Sequence, residues 1–170
     1  LEMLHASDTD QPFCIMWANE NWTRRWAGRA SDVLIGQDYS KVPAEDFIDD
    51  VMEFLLDSRY MRIDGRAVLA VYRPGQMKNF ADVVRTWRER AREAGAGELY
   101  VLAVAVADEF DSIGTLGEDT GIDGTLQFPH HNLPWVAGPA TAAALDPRWR
   151  GNFMSYQETV KASLALSGSL

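Results

Sequence analysis

The sequence predicts an α/β fold built on a parallel sheet, and three observations carry that expectation. Continuous apolar runs of strand length recur at residues 13–17, 67–72 and 99–105. Segments with apolar residues at helical spacing lie between and after them. Turn formers such as Pro74-Gly75 and Gly95 separate the two kinds of segment. Uninterrupted apolar strands alternating with amphipathic helices are the signature of a parallel sheet covered on both faces.

Taken in order, residues 13–17 read as a buried strand, followed by a loop rich in Trp, Arg and Gly. Residues 43–57 read as a helix, with Pro43 in the first turn, where its missing N–H costs nothing. Phe47, Ile48, Val51, Met52 and Leu55 share one face of it. Glu45, Asp49, Asp50 and Glu53 lie mostly on the other, as a solvated face rather than a cation site. Residues 67–72 form a second strand. A helix over 79–94 follows, with Asn79 suited to its N-cap, Phe80, Val83, Val84, Trp87 and Ala91 as its inner stripe, and Gly95 as its stop. Residues 99–105 make a third strand, 108–121 a loop or short helix, 125–128 a shorter fourth strand, and 156–166 the start of another helix. Residues 137–147, rich in Ala, Pro and Gly, read as a connecting loop. The order fits an open doubly wound sheet or a (β/α) barrel. No Gly-x-Gly-x-x-Gly follows a strand, which counts against a nucleotide-binding doubly wound fold.

The 170 residues are 46% apolar and 24% charged, a balance that buries a core rather than staying disordered. The net charge of -9 would repel a phosphate backbone, so nucleic acid and anionic membrane are poor partners. A neutral polyhydroxyl ligand is not repelled. Cys14 is the one cysteine, which excludes an internal disulfide and a Cys-based zinc site and fits a reducing compartment. The apolar run 101–107 is too short to span a bilayer. The chain opens without Met, in what reads as mid-helix, so a piece of a longer protein is expected.

Function in parallel α/β folds sits at the C-terminal ends of the strands. The first end offers Trp17, Asn19, Glu20, Asn21 and Trp22, then Arg24, Arg25 and Trp26. The second offers Tyr72 and Arg73, the third Asp108 and Glu109, and the fourth Phe128, His130, His131 and Asn132. Aromatic faces mixed with amides, carboxylates and guanidinium groups are what a sugar requires, since its C–H faces stack and its hydroxyls need convergent partners. Trp17 and Trp26 suit a plug in the sheet mouth as well as a stacking platform. Glu20 suits a catalytic carboxylate, a hydroxyl acceptor or a partner of Arg24 or Arg25. Glycoside cleavage needs two carboxyl groups, roughly 5 Å apart in retaining enzymes and wider in inverting ones, so Glu20 is at most one of them. Adjacent His130 and His131 point opposite ways on an extended backbone, which argues against a shared metal.

The segment from Phe13 to Trp26, FCIMWANENWTRRW, resembles the signature of the WbsX-like family, a glycoside hydrolase family 99-like domain of bacterial polysaccharide loci. Residues 33–40, 59–66 and 71–74, Trp87-Arg88 and residues 127–130 resemble that family's later segments in order. The resemblance implies a (β/α)₈ barrel of the TIM type, of which residues 1–170 would be the central part, about strands 3 to 6. A whole barrel of this kind takes about 250 residues. It also implies glycan processing, as hydrolase or transferase. Related family 99 enzymes cleave α-mannosidic linkages and carry their carboxylates around a late Asn-Glu-Trp segment, which does not follow Phe128 here. Gly36 stands where the family usually has an acid, and residues 105–121 depart from the pattern, so Asp108 and Glu109 inherit no role.

The reading is a glycosidase-like domain acting on bacterial polysaccharide or O-antigen type glycans, without cofactor or metal. Glu20 is the candidate catalytic carboxylate. Trp17, Asn19, Asn21, Trp22, Arg25, Tyr72, Arg73 and His130 are the candidate sugar-binding residues. The alternatives are a glycosyltransferase, with Arg24, Arg25 and Arg73 available to a diphosphate leaving group, and a non-catalytic glycan-binding barrel. The principal acid and base are expected outside this chain.

Overall fold

The structure, a computed structural model, describes residues 10–24, 29–39, 41, 43–105, 118–128, 134–138 and 153–167. The chain divides into two compact units, Leu1–Gln127 and Phe128–Leu170. In the first, β1 (Ile15–Trp17), β5 (Arg66–Val71), β6 (Leu99–Ala105) and β7 (Gly124–Gln127) form a parallel sheet in the order β1-β5-β6-β7. Helix α1 (Ala44–Leu55) comes between β1 and β5, and α2 (Phe80–Glu93) between β5 and β6. The predicted α/β class and parallel sheet are present.

The pleat sorts the strand residues into two faces. Ile15, Leu69 and Val101 are in register across three strands, as are Trp17 and Val71. All five pack into one core with Ile48, Val51, Phe54 and Leu55 of α1 and Phe80, Val84, Trp87 and Ala91 of α2. Both helices therefore cover the same face of the sheet. On the other face Met16, Ala70 and Leu102 are in register. That face is buried at its centre, at Val68, Ala70 and Val104, but Met16 and Leu126 on the two outer strands are each 41% exposed.

Two ribbons were not expected from the sequence. Strands β2 (Trp22–Arg24) and β3 (Arg29–Ile35) pair antiparallel, within what reads as a Trp- and Arg-rich loop. Strand β4 (Arg62–Ile63) pairs antiparallel with the start of β5. Between them Asp64 and Gly65 hold φ of 50° and 77°. An Asp-Gly pair is the usual choice for a two-residue hairpin turn that needs positive φ at both positions. Gly95, at φ 83°, closes α2 as expected, and the Ala96 amide returns 2.9 Å to the Ala91 carbonyl. Asn79 does sit at the N-cap of α2, but its side chain makes no capping hydrogen bond.

Tyr60 ties the lower ends of β1 and β5. It is buried, donates its hydroxyl to the Val68 carbonyl at 2.7 Å and accepts from the Ile15 amide at 3.2 Å. Burial pushes its phenol up to about 12. Asp123, just before β7, binds the β5, α2 and β6 segments together. It accepts from Arg66 at 2.7 Å, Arg88 at 2.7 Å and the Val101 amide at 2.8 Å.

In the second unit, Ala137 bridges Met154, and α3 (Tyr156–Ser167) follows. The Ser155 hydroxyl accepts from the Glu158 amide at 3.4 Å, the start of a Ser-x-x-Glu capping arrangement.

Burial alone would raise the Asp123 carboxyl. The Val101 amide, the Arg66 hydrogen bond and the charges of Arg88 and Arg66 outweigh it and hold the group below the ordinary carboxylate value. A depressed folded pKa contributes stability that is present above the unfolded carboxylate value and lost as pH falls through the folded one. Asp123→Asn is expected to cost about 2 kcal/mol in urea denaturation at neutral pH, from weakened charged hydrogen bonds. That deficit should shrink as pH falls below the ordinary carboxylate range.

Candidate functional site

The site residues stand where β1 and β5 end. These strands are neighbours and parallel, so Trp17-Ala-Asn-Glu20 and Tyr72-Arg73 leave the sheet side by side. The Tyr72 amide donates to the Trp17 carbonyl at 2.9 Å and continues the ladder one step past β5.

Asn19 has no solvent exposure. Its Nδ2 donates to the Arg73 carbonyl at 2.8 Å, and its Oδ1 accepts from the Arg73 amide at 2.6 Å. One side chain thus satisfies both backbone groups of a residue beyond the sheet, groups that would otherwise be costly to bury. The Tyr39 hydroxyl donates to the Asn19 carbonyl. Expected to bind sugar hydroxyls, Asn19 instead has both ends of its amide bonded within the protein.

Glu20 follows on a tight turn in which its amide returns to the Ala18 carbonyl at 3.0 Å. Its Oε2 accepts from Arg73 Nε at 3.0 Å. Among the described residues the ion-pair partner is Arg73, at the end of the neighbouring strand; the side chains of Arg24 and Arg25 lie outside the described residues. The Glu20 side chain is 37% exposed and that of Arg73 13%. The Arg73 guanidinium lies 5.4 Å from the centre of the Tyr72 ring, and Tyr72 is buried. The arrangement orients one carboxylate at the strand ends, with a fixed cation behind it and an oxygen toward solvent.

Asn21 is exposed and accepts from the Gln37 amide at 2.6 Å, which joins the start of β2 to the end of β3. Trp22 pairs with Ile35 and is 58% exposed, a surface ring available for stacking. Trp17 takes the other course. Its ring stacks on Phe47 at 4.3 Å with an 18° tilt and lies 6.0 Å from Tyr39 and 5.9 Å from Trp87. It faces the helices, as strand alternation requires of a residue two positions from Ile15. Of the open readings for Trp17, the packed one is the geometry seen.

The side chains of Arg24, Arg25, Trp26, Asp108, Glu109, His130, His131 and Asn132 lie outside the described residues. Among the described residues no group of three or more His, Cys, Asp or Glu is placed to hold a metal. None of the described helices is long and apolar enough to cross a membrane. The sequence did not single out Tyr39 or Phe47 for the site, although they fix the Asn19 carbonyl and the Trp17 ring. Tyr39 does fall in a segment that resembles the family, and that is the signal it offered.

Residues 1–165 match the family described as Glycosyltransferase WbsX. The chain is also similar to a protein named "Uncharacterized protein WxcX" in two strains of Xanthomonas campestris pv. campestris. In both the identity is 31% over 150 residues, which is 88% of this chain and 21% of the relative. The chain therefore spans about a fifth of the length of these curated relatives. No solved structure matches it.

Asn19→Ala removes the partner of the Arg73 amide, while the Arg73 carbonyl keeps the Gln76 amide at 3.1 Å, and is expected to destabilise the unit by about 2 kcal/mol. Tyr39→Phe removes one hydrogen bond and should cost about 1 kcal/mol. Denaturant midpoints of the two variants, with unchanged slope, measure both.

Proposed function

Because the chain belongs to the WbsX glycosyltransferase family, we propose that it is the central part of a carbohydrate-active (β/α) barrel acting on bacterial polysaccharide or O-antigen type glycans. Three features support the barrel. The parallel strands follow one another in sequence order without reversal. Both crossover helices lie on one face. The opposite face carries half-exposed Met16 and Leu126 on the outer strands, where further strands would cover them. A doubly wound sheet would instead reverse its strand order and place helices on both faces.

The observation that carries the functional reading is the Glu20–Arg73 pair at the C-terminal ends of two adjacent parallel strands. Active sites of parallel barrels lie at that end. Glu20 binds a hydroxyl or stabilises the cationic character that develops at a sugar carbon during transfer. Arg73 positions Glu20. Arg25 and His130 stay sugar-binding candidates on their sequence alone, and Trp22, Asn21 and Tyr72 form the rest of this wall. Trp17 and Asn19 act behind it, the first as packing and the second as a clamp. Glycosidic chemistry needs a second carboxyl group, and we place it on another part of the parent protein. No cofactor is required for such hydrolysis, and the net charge of -9 disfavours nucleic acid as a partner.

The first reading is a glycosidase-like reaction with water as acceptor. The family's description favours the second, transfer from an activated sugar. Incubation of the full-length protein with a bacterial polysaccharide in water, and separately with a nucleotide-sugar and an acceptor glycan, separates them. A protein that binds the glycan and turns over under neither condition would be the glycan-binding barrel. In the active assay Glu20→Gln is expected to lower kcat/KM by about 10² or more. An unchanged kcat/KM would remove Glu20 from the reaction.

A further inference from the structure

A cavity of about 480 Å³ lies on the helix side of the sheet, between the segment after β3 and the first turns of α1 and α2. None of Glu20, Asn21, Trp22, Tyr72 and Arg73 is among its described lining residues, whereas Trp17, which packs behind that wall, is. Its volume falls in the range of small-molecule sites.

The lining has two parts. Trp17, Phe47 and Met77 supply an apolar floor on which Trp17 and Phe47 are only partly buried. Gln37, Asp46, Asp50 and Asn79 stand around it, and none of these side chains makes a hydrogen bond or ion pair among the described residues. Asn79 is the telling one. It occupies the N-cap of α2, where an Asn side chain normally bonds the helix's first amides for about 1 kcal/mol, and it does not do so. Its amide is left to the cavity instead. Among the described lining residues Lys41 is the one cation, and Asp38 holds it at 2.7 Å. Asp46 and Asp50 thus face the cavity without a cation among the described residues.

We infer that this cavity is a second sugar-binding site, for a single ring rich in hydroxyls and carrying no acidic group. An aromatic floor takes the C–H face of a ring, and carboxylates and amides with open bonding positions take its hydroxyls. The uncompensated aspartates exclude uronic acids and phosphates and tolerate an amine. The inference rests on this lining and not on the chemistry of Glu20, so the two stand or fall separately.

Hydrogen exchange of the full-length protein tests it, with glucose, glucosamine and glucuronic acid as probes at equal millimolar concentration. Exchange should slow in the peptides covering residues 36–50 and 77–87 with glucose and glucosamine, and not with glucuronic acid. Asp50 is exposed, so Asp50→Lys should fold, and it should weaken glucosamine about tenfold. Glu20→Gln should leave the protection intact. No slowing with either accepted sugar, equal slowing with glucuronic acid, or loss of protection in Glu20→Gln would each overturn the proposal.

Discussion

The buried amide of Asn19 bonds both backbone groups of Arg73, and the geometry of the strand ends depends on that contact. A strand's polar backbone is satisfied by its neighbours while the ladder lasts. Past Val71 the ladder gains only the Tyr72–Trp17 bond, and Arg73 must find partners elsewhere. Asn19 supplies both from a position two residues past β1. Its donor and acceptor are presented side by side on one planar group, matching the amide and carbonyl of a single residue. With Arg73 fixed at its backbone, its guanidinium is aimed over Tyr72 and onto Glu20. The clamp thus converts two loop ends into one rigid pair of charges.

Packing under the clamp serves the same end. Trp17 precedes Asn19 by two residues and is held between Phe47 and Trp87, on α1 and α2. Aromatic pairs of this kind add about 1 kcal/mol each beyond their burial. Trp87 is wholly buried and donates its indole N–H to the Ala44 carbonyl at 2.9 Å, which locks the first turn of α1 against α2. Tyr39 touches both levels, with its ring near Trp17 and its hydroxyl on the Asn19 carbonyl. At the opposite end of the sheet, Asp123 and Tyr60 hold the strands together through charge and buried hydroxyl contacts. The strands are therefore anchored at both ends, by Asp123 and Tyr60 away from the candidate site and by the Asn19 clamp beside it.

Much of this is legible in the residues. Strand β6 is an unbroken apolar run and β5 nearly one, while α2 shows a clean helical stripe, so burial alone predicts them. The ribbon β2–β3 is not, because its pairing is local and its exposed residues are mixed: Trp22, Val33, Leu34 and Ile35 are apolar yet solvent-facing. A pattern rule reads exposure from polarity and fails there. The Asp64-Gly65 turn was a clearer sign of β4 than the two-residue strand itself. At the strand ends, residue types marked Asn19, Glu20 and Arg73 as candidates but not how each is bonded. Asn19 and Glu20 are adjacent and both polar, and only the register of β1 on β5 shows that one turns inward to backbone and the other toward solvent. Trp17 and Trp22 look equivalent in sequence and differ in the same way. Tertiary partners 54 residues away in the chain, such as Arg73 for Asn19, leave no local trace.

The clamp is most directly tested by the exchange rate of the Arg73 backbone amide in the full-length protein, measured by NMR or by fragmentation mass spectrometry. Bonded to buried Asn19, this amide should be protected to the level of the β5 amides that precede it, and Asn19→Ala should release it. An Arg73 amide that exchanges at the rate of an exposed loop in the unmutated protein would contradict the clamp and, with it, the fixed placement of Glu20.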